Sequence, residues 1–246
     1  MMTGLHNAGN TCYLNSVVQC LSHLPELNHW FESHAPTSLL ATEYKGLIDL
    51  LCQNHFQITP NRFIAVVHHA IPHFQPKQQQ DAHELLVYLL DDFKCPLFSG
   101  IQVSCLNKTE RTEEVFNGIE LPLIGNTLES CMNGYQEQEI VQWNGKNASK
   151  AIELKTMPTI LCITLKRFNS NNQKNSTFID IPFQFRGYNL HSICDHTGST
   201  RGGHYTASVL ISNSWYMFND GRIQNITNPI TSNAYCLFYR KDEKNK

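Results

Sequence analysis

The sequence predicts an α+β fold in which a helical lobe precedes a sheet lobe. Up to about residue 95, apolar residues recur at helical spacing, and from about residue 100 strand-like runs dominate. The segment Ile160-Leu161-Cys162-Ile163-Thr164-Leu165 is apolar on both faces, as a strand at the centre of a sheet must be. The chain has 246 residues, enough to bury a sizeable core, and no internal repeat divides it. That length suits one or two subdomains.

The elements follow in order. After Cys12, the residues Leu14, Val17, Val18, Leu21 and Leu24 mark a helix with one buried face, with Gly9 and Asn10 supplying the turn before it and Thr11 as N-cap. Leu40, Tyr44, Leu47, Ile48 and Leu51 share the face of a second helix, which Gly46 weakens by about 1 kcal/mol. Thr59-Pro60 reads as N-cap and first residue of another, with Phe63, Val66, Val67 and Ala70 on its buried side. Ala82, Leu85, Leu86, Leu89, Leu90 and Phe93 form the cleanest apolar stripe. Strands are expected over 115–123, 160–168, 205–211, 215–218 and 235–239, with a polar loop over 169–176.

Chemistry concentrates at two places. Cys12 stands where a turn enters a helix, and unpaired N–H groups together with the positive end of the helix dipole favour thiolate there. Alone, such a cysteine is ordinarily a small buried hydrophobe. Far downstream, Gly202-Gly203-His204-Tyr205 starts a strand, and Trp215-Tyr216-Met217-Phe218 leads another into Asn219-Asp220-Gly221. The short turn Ile211-Ser212-Asn213-Ser214 joins the two, so His204 and Asn219 fall at the same end of a hairpin. An amide or carboxylate there can hold the imidazole in the tautomer that faces a thiol. An early cysteine with histidine and asparagine far downstream is the papain-like order.

Composition narrows the class without naming it. A formal net charge of −2 gives no electrostatic case for nucleic acid or an anionic membrane. Nine cysteines, an odd number without framework spacing and several within apolar runs, point to reduced thiols in a reducing compartment. The first residues carry neither a charged nor an apolar leader pattern, and no apolar run is long enough for a membrane span.

Gly4-Leu5-His6-Asn7-Ala8-Gly9-Asn10-Thr11-Cys12-Tyr13-Leu14-Asn15-Ser16 resembles the Cys box of the ubiquitin-specific proteases. The two downstream segments resemble the His box of the same family, and Gln79-Gln80-Asp81-Ala82-His83-Glu84-Leu85-Leu86 and Leu165-Lys166-Arg167-Phe168 agree, in family order. The resemblance runs from residue 4 to about residue 240. It implies a papain-like cysteine protease fold with a helical thumb over about 1–97, fingers and palm strands over about 98–155, and an antiparallel β palm over about 156–246. It also implies a deubiquitinating thiol protease, without cofactor, that hydrolyses the isopeptide bond between the C-terminal glycine of ubiquitin and a lysine. In that mechanism Cys12 is the nucleophile, His204 the base, and Asn219 the residue that orients the ring, with Asp220 assisting or substituting. Asn7 matches the oxyanion-hole side chain, beside the Cys12 backbone N–H. The acidic residue of the glutamine-rich motif, Asp81, contacts the modifier's basic tail in the family, with Glu84 one turn on. Gly202, Gly203 and Tyr205 line a channel narrow enough for a Gly-Gly tail. The partners implied are ubiquitin and ubiquitinated proteins, not nucleic acid or membrane, with room for an unidentified adaptor or activator. The place of action is cytoplasmic or nuclear, or a host cytosol for a viral protein or bacterial effector.

Plainer readings stand beside these. Asp81 and Glu84 also suit a helix cap or a solvated face. Lys166 and Arg167 suit a strand end, and His83 and His191 structural positions. His23, His29, His68, His69 and His73 have no assigned role, and 240–246 reads as a solvated end. The sequence departs from the family in the fingers, where many members carry two Cys-x-x-Cys pairs that together bind zinc. Here the first is reduced to Cys105-Leu106-Asn107-Lys108, and the second position, 140–146, has no cysteine. The fingers are therefore expected to be metal-free, with strand tips shortened or packed around Trp143. Three alternatives stay open: a protease for another ubiquitin-like modifier, a catalytically silent ubiquitin-binding module, and a general papain-like peptidase. Adaptor domains are expected to be absent.

Overall fold

The computed structural model describes residues 1–53, 55–107, 110–169, 171, 173–199 and 202–242. The first lobe holds a short strand β1 (Gly4–Leu5) and then α1 (Cys12–Ser22), α2 (Pro25–Ser33) and α3 (Leu39–Cys52). Strand β2 (Gln57–Ile58), α4 (Asn61–Ala70) and α5 (Ala82–Phe93) complete it. A 3₁₀ turn, Pro96–Phe98, leads to β3 (Gly100–Leu106), β4 (Glu110–Phe116), β5 (Ile119–Leu121), α6 (Leu128–Gln136), β6 (Glu139–Trp143) and β7 (Lys146–Thr156). Then come β8 (Ile160–Leu165), β9 (Gln184–Phe185), β10 (Tyr188–Ser199), β11 (Gly202–Ile211), β12 (Ser214–Asn219), β13 (Arg222–Ile226) and β14 (Ala234–Lys241).

The large palm sheet runs β13-β12-β11-β10-β14-β8-β5, with β9 paired to β10. Every pair is antiparallel except β5 with β8, so the sheet expected to be antiparallel is mixed at one edge. The fingers form a separate antiparallel sheet, β4-β3-β7-β6. The expected strand 115–123 is divided between these sheets: Phe116 ends β4 and Ile119 begins β5. Helices α2 and α6 and strands β3, β6, β7, β10 and β13 lie outside the predicted elements, because their mixed polar composition gives no clean period.

All eleven residues of α1 are buried, not one face as the spacing predicted. The helix is held between the thumb helices and the palm strands β10 and β11. Two of its polar side chains bond inside: Gln19 Nε2 donates to the Thr3 carbonyl at 2.9 Å and Ser16 Oγ to the Tyr13 carbonyl at 3.0 Å. On the other face of the palm, α6 buries Leu128, Cys131 and Met132 against Leu161, Ile163 and Leu165. Strand β8 is buried throughout because it lies between these two cores.

The stripes on α3 and α5 are buried as predicted. Helix α4 starts one residue later than expected, with Pro60 as N-cap. It buries Phe63 and Val67, while Ala70 faces outward because Ile71 and Phe74 close that side of the core. Strand β8 stops at Leu165, and Arg167, only 1% exposed, turns inward. Its Nε donates to the Ala234 carbonyl at 2.5 Å and its Nη1 to the Asn175 and Thr177 carbonyls at 3.0 Å. It pins the polar loop to β14, the structural role that a strand end allows. His23 is also buried, its ring between the Gln19 and Met1 carbonyls.

Candidate active site

Cys12 opens α1, and packing of α1 on β11 places its thiol against the backbone of Tyr205, the residue after His204. Burial raises the thiol pKa; the N–H groups of Tyr205, Tyr13 and Cys12 lower it, and the Asp220 carboxylate raises it further. Burial wins, so helix-end stabilisation does not by itself make a thiolate here, contrary to the sequence expectation. Proton removal falls to a base. Thr11 holds the cap position, but its Oγ1 accepts from the Ala8 N–H at 3.0 Å and leaves the helix N–H groups uncapped.

Ser212 and Asn213, both with positive φ, make the tight turn between β11 and β12, and Ile211 pairs with Ser214. That register brings His204 and Asn219 together: His204 Nε2 lies 2.7 Å from Asn219 Oδ1. Donation from Nε2–H to the amide oxygen leaves Nδ1 with the lone pair, the tautomer a base needs. Asp220 is farther from the ring, 4.0 Å from Nε2. Its carboxylate instead accepts from Asn7 Nδ2 at 3.0 Å and Asn15 Nδ2 at 2.8 Å.

Asn7 is held from both ends. Its Oδ1 accepts from the Gly9 and Thr11 N–H groups at 3.0 and 3.1 Å, which fixes the direction of the amide. Asp220 takes one Nδ2 hydrogen and leaves the other for an oxyanion. The Asp220 carbonyl accepts from the Leu5 N–H at 3.1 Å, so β1 and the β12–β13 turn are tied together. A Cβ on Gly4 would lie 2.5 Å from the Gly221 carbonyl oxygen, so glycine permits this approach.

A cleft of about 260 Å³ that reaches Tyr205, the neighbour of His204, is lined by Gln79, Asp81, Phe168 and His196 among others. Asp81 caps α5 through the His83 and Glu84 N–H groups at 2.7 and 3.2 Å, and the Tyr235 hydroxyl donates to it at 2.9 Å. It is thus both a cap and a cleft residue. Glu84 points elsewhere and accepts from His73 Nε2 at 2.7 Å. Gly203 is clamped by Gln79, which accepts from its N–H and donates to its carbonyl, both at 2.8 Å. A Cβ there would lie 2.1 Å from His196 Nε2, whereas at Gly202 the nearest atom is Gln79 Oε1 at 3.6 Å. The Tyr205 ring is buried beside His196, their centroids 4.6 Å apart.

Sequence reasoning missed Gln79, His196 and Asn15 as site residues. Asn15 carried a signal, because it is a polar residue one turn past Cys12 in a helix that proves buried. His196 carried none, since only the hairpin of β10 and β11 brings it to the cleft. His191, read as structural, is buried and bonds the His23 carbonyl through Nε2 at 2.7 Å.

A model of the ubiquitin carboxyl-terminal hydrolase family matches residues 3–239. The chain belongs to this family. Ubiquitin carboxyl-terminal hydrolase Usp2 of Drosophila melanogaster is 27% identical, over 98% of this chain and 35% of the relative. A probable ubiquitin carboxyl-terminal hydrolase 8 of Schizosaccharomyces pombe is 28% identical, over 98% of this chain and 65% of the relative. The chain therefore spans between 35% and 65% of the length of these hydrolases. Among solved structures, the SAGA Ubp8/Sgf11/Sus1/Sgf73 DUB module bound to ubiquitin aldehyde matches the fold with a TM-score of 0.80. That match is 21% identical in sequence and covers 98% of this chain and 69% of the other.

Of the two expectations for the finger tips, packing around Trp143 is not what the structure has. Trp143 is 51% exposed and organises no packing. Where a second Cys-x-x-Cys pair would fall, Asn144 and Gly145, both with positive φ, make a two-residue turn between β6 and β7. Cys105 pairs in register with Arg111 and Ala151, and Lys108 lies outside the described residues. Among the described residues no group of three metal-ligating side chains converges. The ladders of β3, β4, β6 and β7 hold this sheet, with ion pairs of Arg111 with Glu153 and Lys155 with Glu113 across it.

Proposed function

We propose that this chain hydrolyses the isopeptide bond between the C-terminal glycine of ubiquitin and a substrate lysine. The observation that carries the reading is the His204–Asn219 bond of 2.7 Å, on the strand whose Tyr205 backbone meets the Cys12 thiol at the start of α1. His204 Nδ1 takes the proton of the Cys12 thiol as sulfur attacks the glycine carbonyl, and the developing oxyanion is met by Asn7 Nδ2 and the Cys12 N–H. His204 then gives that proton to the departing lysine amine. Water, activated by the same ring, releases the acyl-enzyme. The tail of the modifier lies in the cleft between Gln79, Asp81 and Tyr205, where Asp81 meets a basic side chain and the inward-packed glycine stretch admits little beyond backbone.

The test is mass spectrometry after incubation with ubiquitin bearing a C-terminal electrophile, beside Cys12→Ala. One adduct on Cys12, lost in the variant, is expected. Folded protein that takes no adduct overturns the reading, and the same probe built on other ubiquitin-like modifiers identifies a changed specificity.

A further inference from the structure

The cleft on the α5 side of His204 accounts for the acyl half of the substrate, but the lysine-bearing half has no place in it. A second cavity, of about 380 Å³, touches the catalytic pair directly: His204 and Asn219 are part of its wall. It lies on the palm face opposite α1. The register of β11 and β12 puts His204, Thr206, Met217 and Asn219 on this face, while Tyr205, Ala207 and Phe218 enter the α1 core. Ile226 at the end of β13 and Pro229 in the following loop close it with apolar surface, and Thr197 of β10 stands exposed at its rim.

The chemistry decides what this cavity receives. The leaving amine takes its proton from His204, so the group attached to that amine departs along the free side of the imidazole. The tail occupies the α5 side, and the cavity is what adjoins the ring on the palm side. Met217, Ile226 and Pro229 give it an apolar floor that suits a hydrocarbon side chain, set among polar groups that include Asp195, Asn228 and Asn233. We propose that this cavity is the acceptor subsite, and that it takes an aliphatic side chain, such as leucine, next to the modified lysine. The proposal rests on the ubiquitin-hydrolase reading and names the substrate class on its leaving side.

Three substrates test it: ubiquitin C-terminal aminomethylcoumarin amide, which has no acceptor peptide, and ubiquitin isopeptide-linked to lysine peptides with leucine or serine beside the lysine. Wild-type protein is expected to cleave the leucine conjugate with a KM several-fold below that of the serine conjugate. In Met217→Ser and Ile226→Asn the leucine advantage should vanish while coumarin release stays within about twofold, which also certifies that the variants fold. If wild type cleaves the coumarin amide but handles both conjugates alike, or if the variants lose all three activities equally, the acceptor subsite is overturned and the hydrolase reading survives. If wild type leaves the coumarin amide intact, the hydrolase reading fails and the subsite with it.

Discussion

Asp220 Oδ2 accepts a hydrogen bond of 3.0 Å from Asn7 Nδ2, and this bond ties the β12–β13 turn to the segment before Cys12. Asn219, the last residue of β12, and Asp220, the first beyond it, therefore make different bonds: Asn219 meets the His204 ring and Asp220 the Asn7 amide. Asn219→Ala is expected to lower kcat by about 10²-fold, and Asn219→Asp to restore much of it, because a carboxylate also accepts from Nε2–H. Asp220→Ala should cost about 10²-fold in kcat by releasing the Asn7 amide, and Asn7→Ala in that background should add little. Steady-state kinetics on a fluorogenic ubiquitin amide measure both, and additive losses would refute the coupling.

Gly203 is needed for space. Its missing Cβ leaves room for the His196 ring and the Thr197 carbonyl, 2.1 and 2.6 Å from where that atom would sit. Gly203→Ala should destabilise the protein by about 1–3 kcal/mol and reduce kcat/KM by more than tenfold, since the strand that carries His204 must shift. Gly202→Ala, with no atom closer than 3.6 Å, should do neither. Urea denaturation and kinetics of the two variants side by side give the comparison.

Arg167 makes its case through stability alone. Removing a buried guanidinium leaves the Ala234, Asn175 and Thr177 carbonyls without their donor. Arg167→Ala is expected to cost about 2–4 kcal/mol, read as a fall in the urea midpoint. An unchanged midpoint would show that the loop is anchored elsewhere.

Acid should weaken the fold through buried histidines. Burial pushes His191 and His196 down to about 4, and lowers His23 as well. The native state then binds fewer protons than the unfolded chain, so their contribution is complete above about pH 6.5 and is lost as pH falls towards 4. His191→Gln, which can keep a donor for the His23 carbonyl, should flatten the Tm profile between pH 6.5 and 4. A profile as steep as wild type would rule His191 out as a source.

Asp195 acts with the opposite sign. Burial raises its carboxyl to about 6, opposed by the Thr231 hydroxyl at 2.5 Å and by the Arg167 and Lys174 charges. Its stabilising contribution is complete below about pH 4 and is lost as pH rises through 6. Asp195→Asn should therefore raise stability at pH 8 by about 2 kcal/mol and change it little at pH 5. Thermal melts at the two pH values distinguish this from a variant that simply repacks.

Local pattern in the sequence determined the helix stripes of α3 and α5, the central burial of β8 and the hairpin that pairs His204 with Asn219. Each of these follows from spacing and turn chemistry within a few residues. The Cys and His boxes pointed to the family whose model matches residues 3–239. Only the tertiary structure decided the rest. That α1 is buried on every side depends on two lobes meeting around it. That the Cys12 pKa is raised depends on burial outweighing the helix end. That Asp220 serves Asn7 instead of His204 depends on a contact between residues at opposite ends of the chain, which no local pattern encodes.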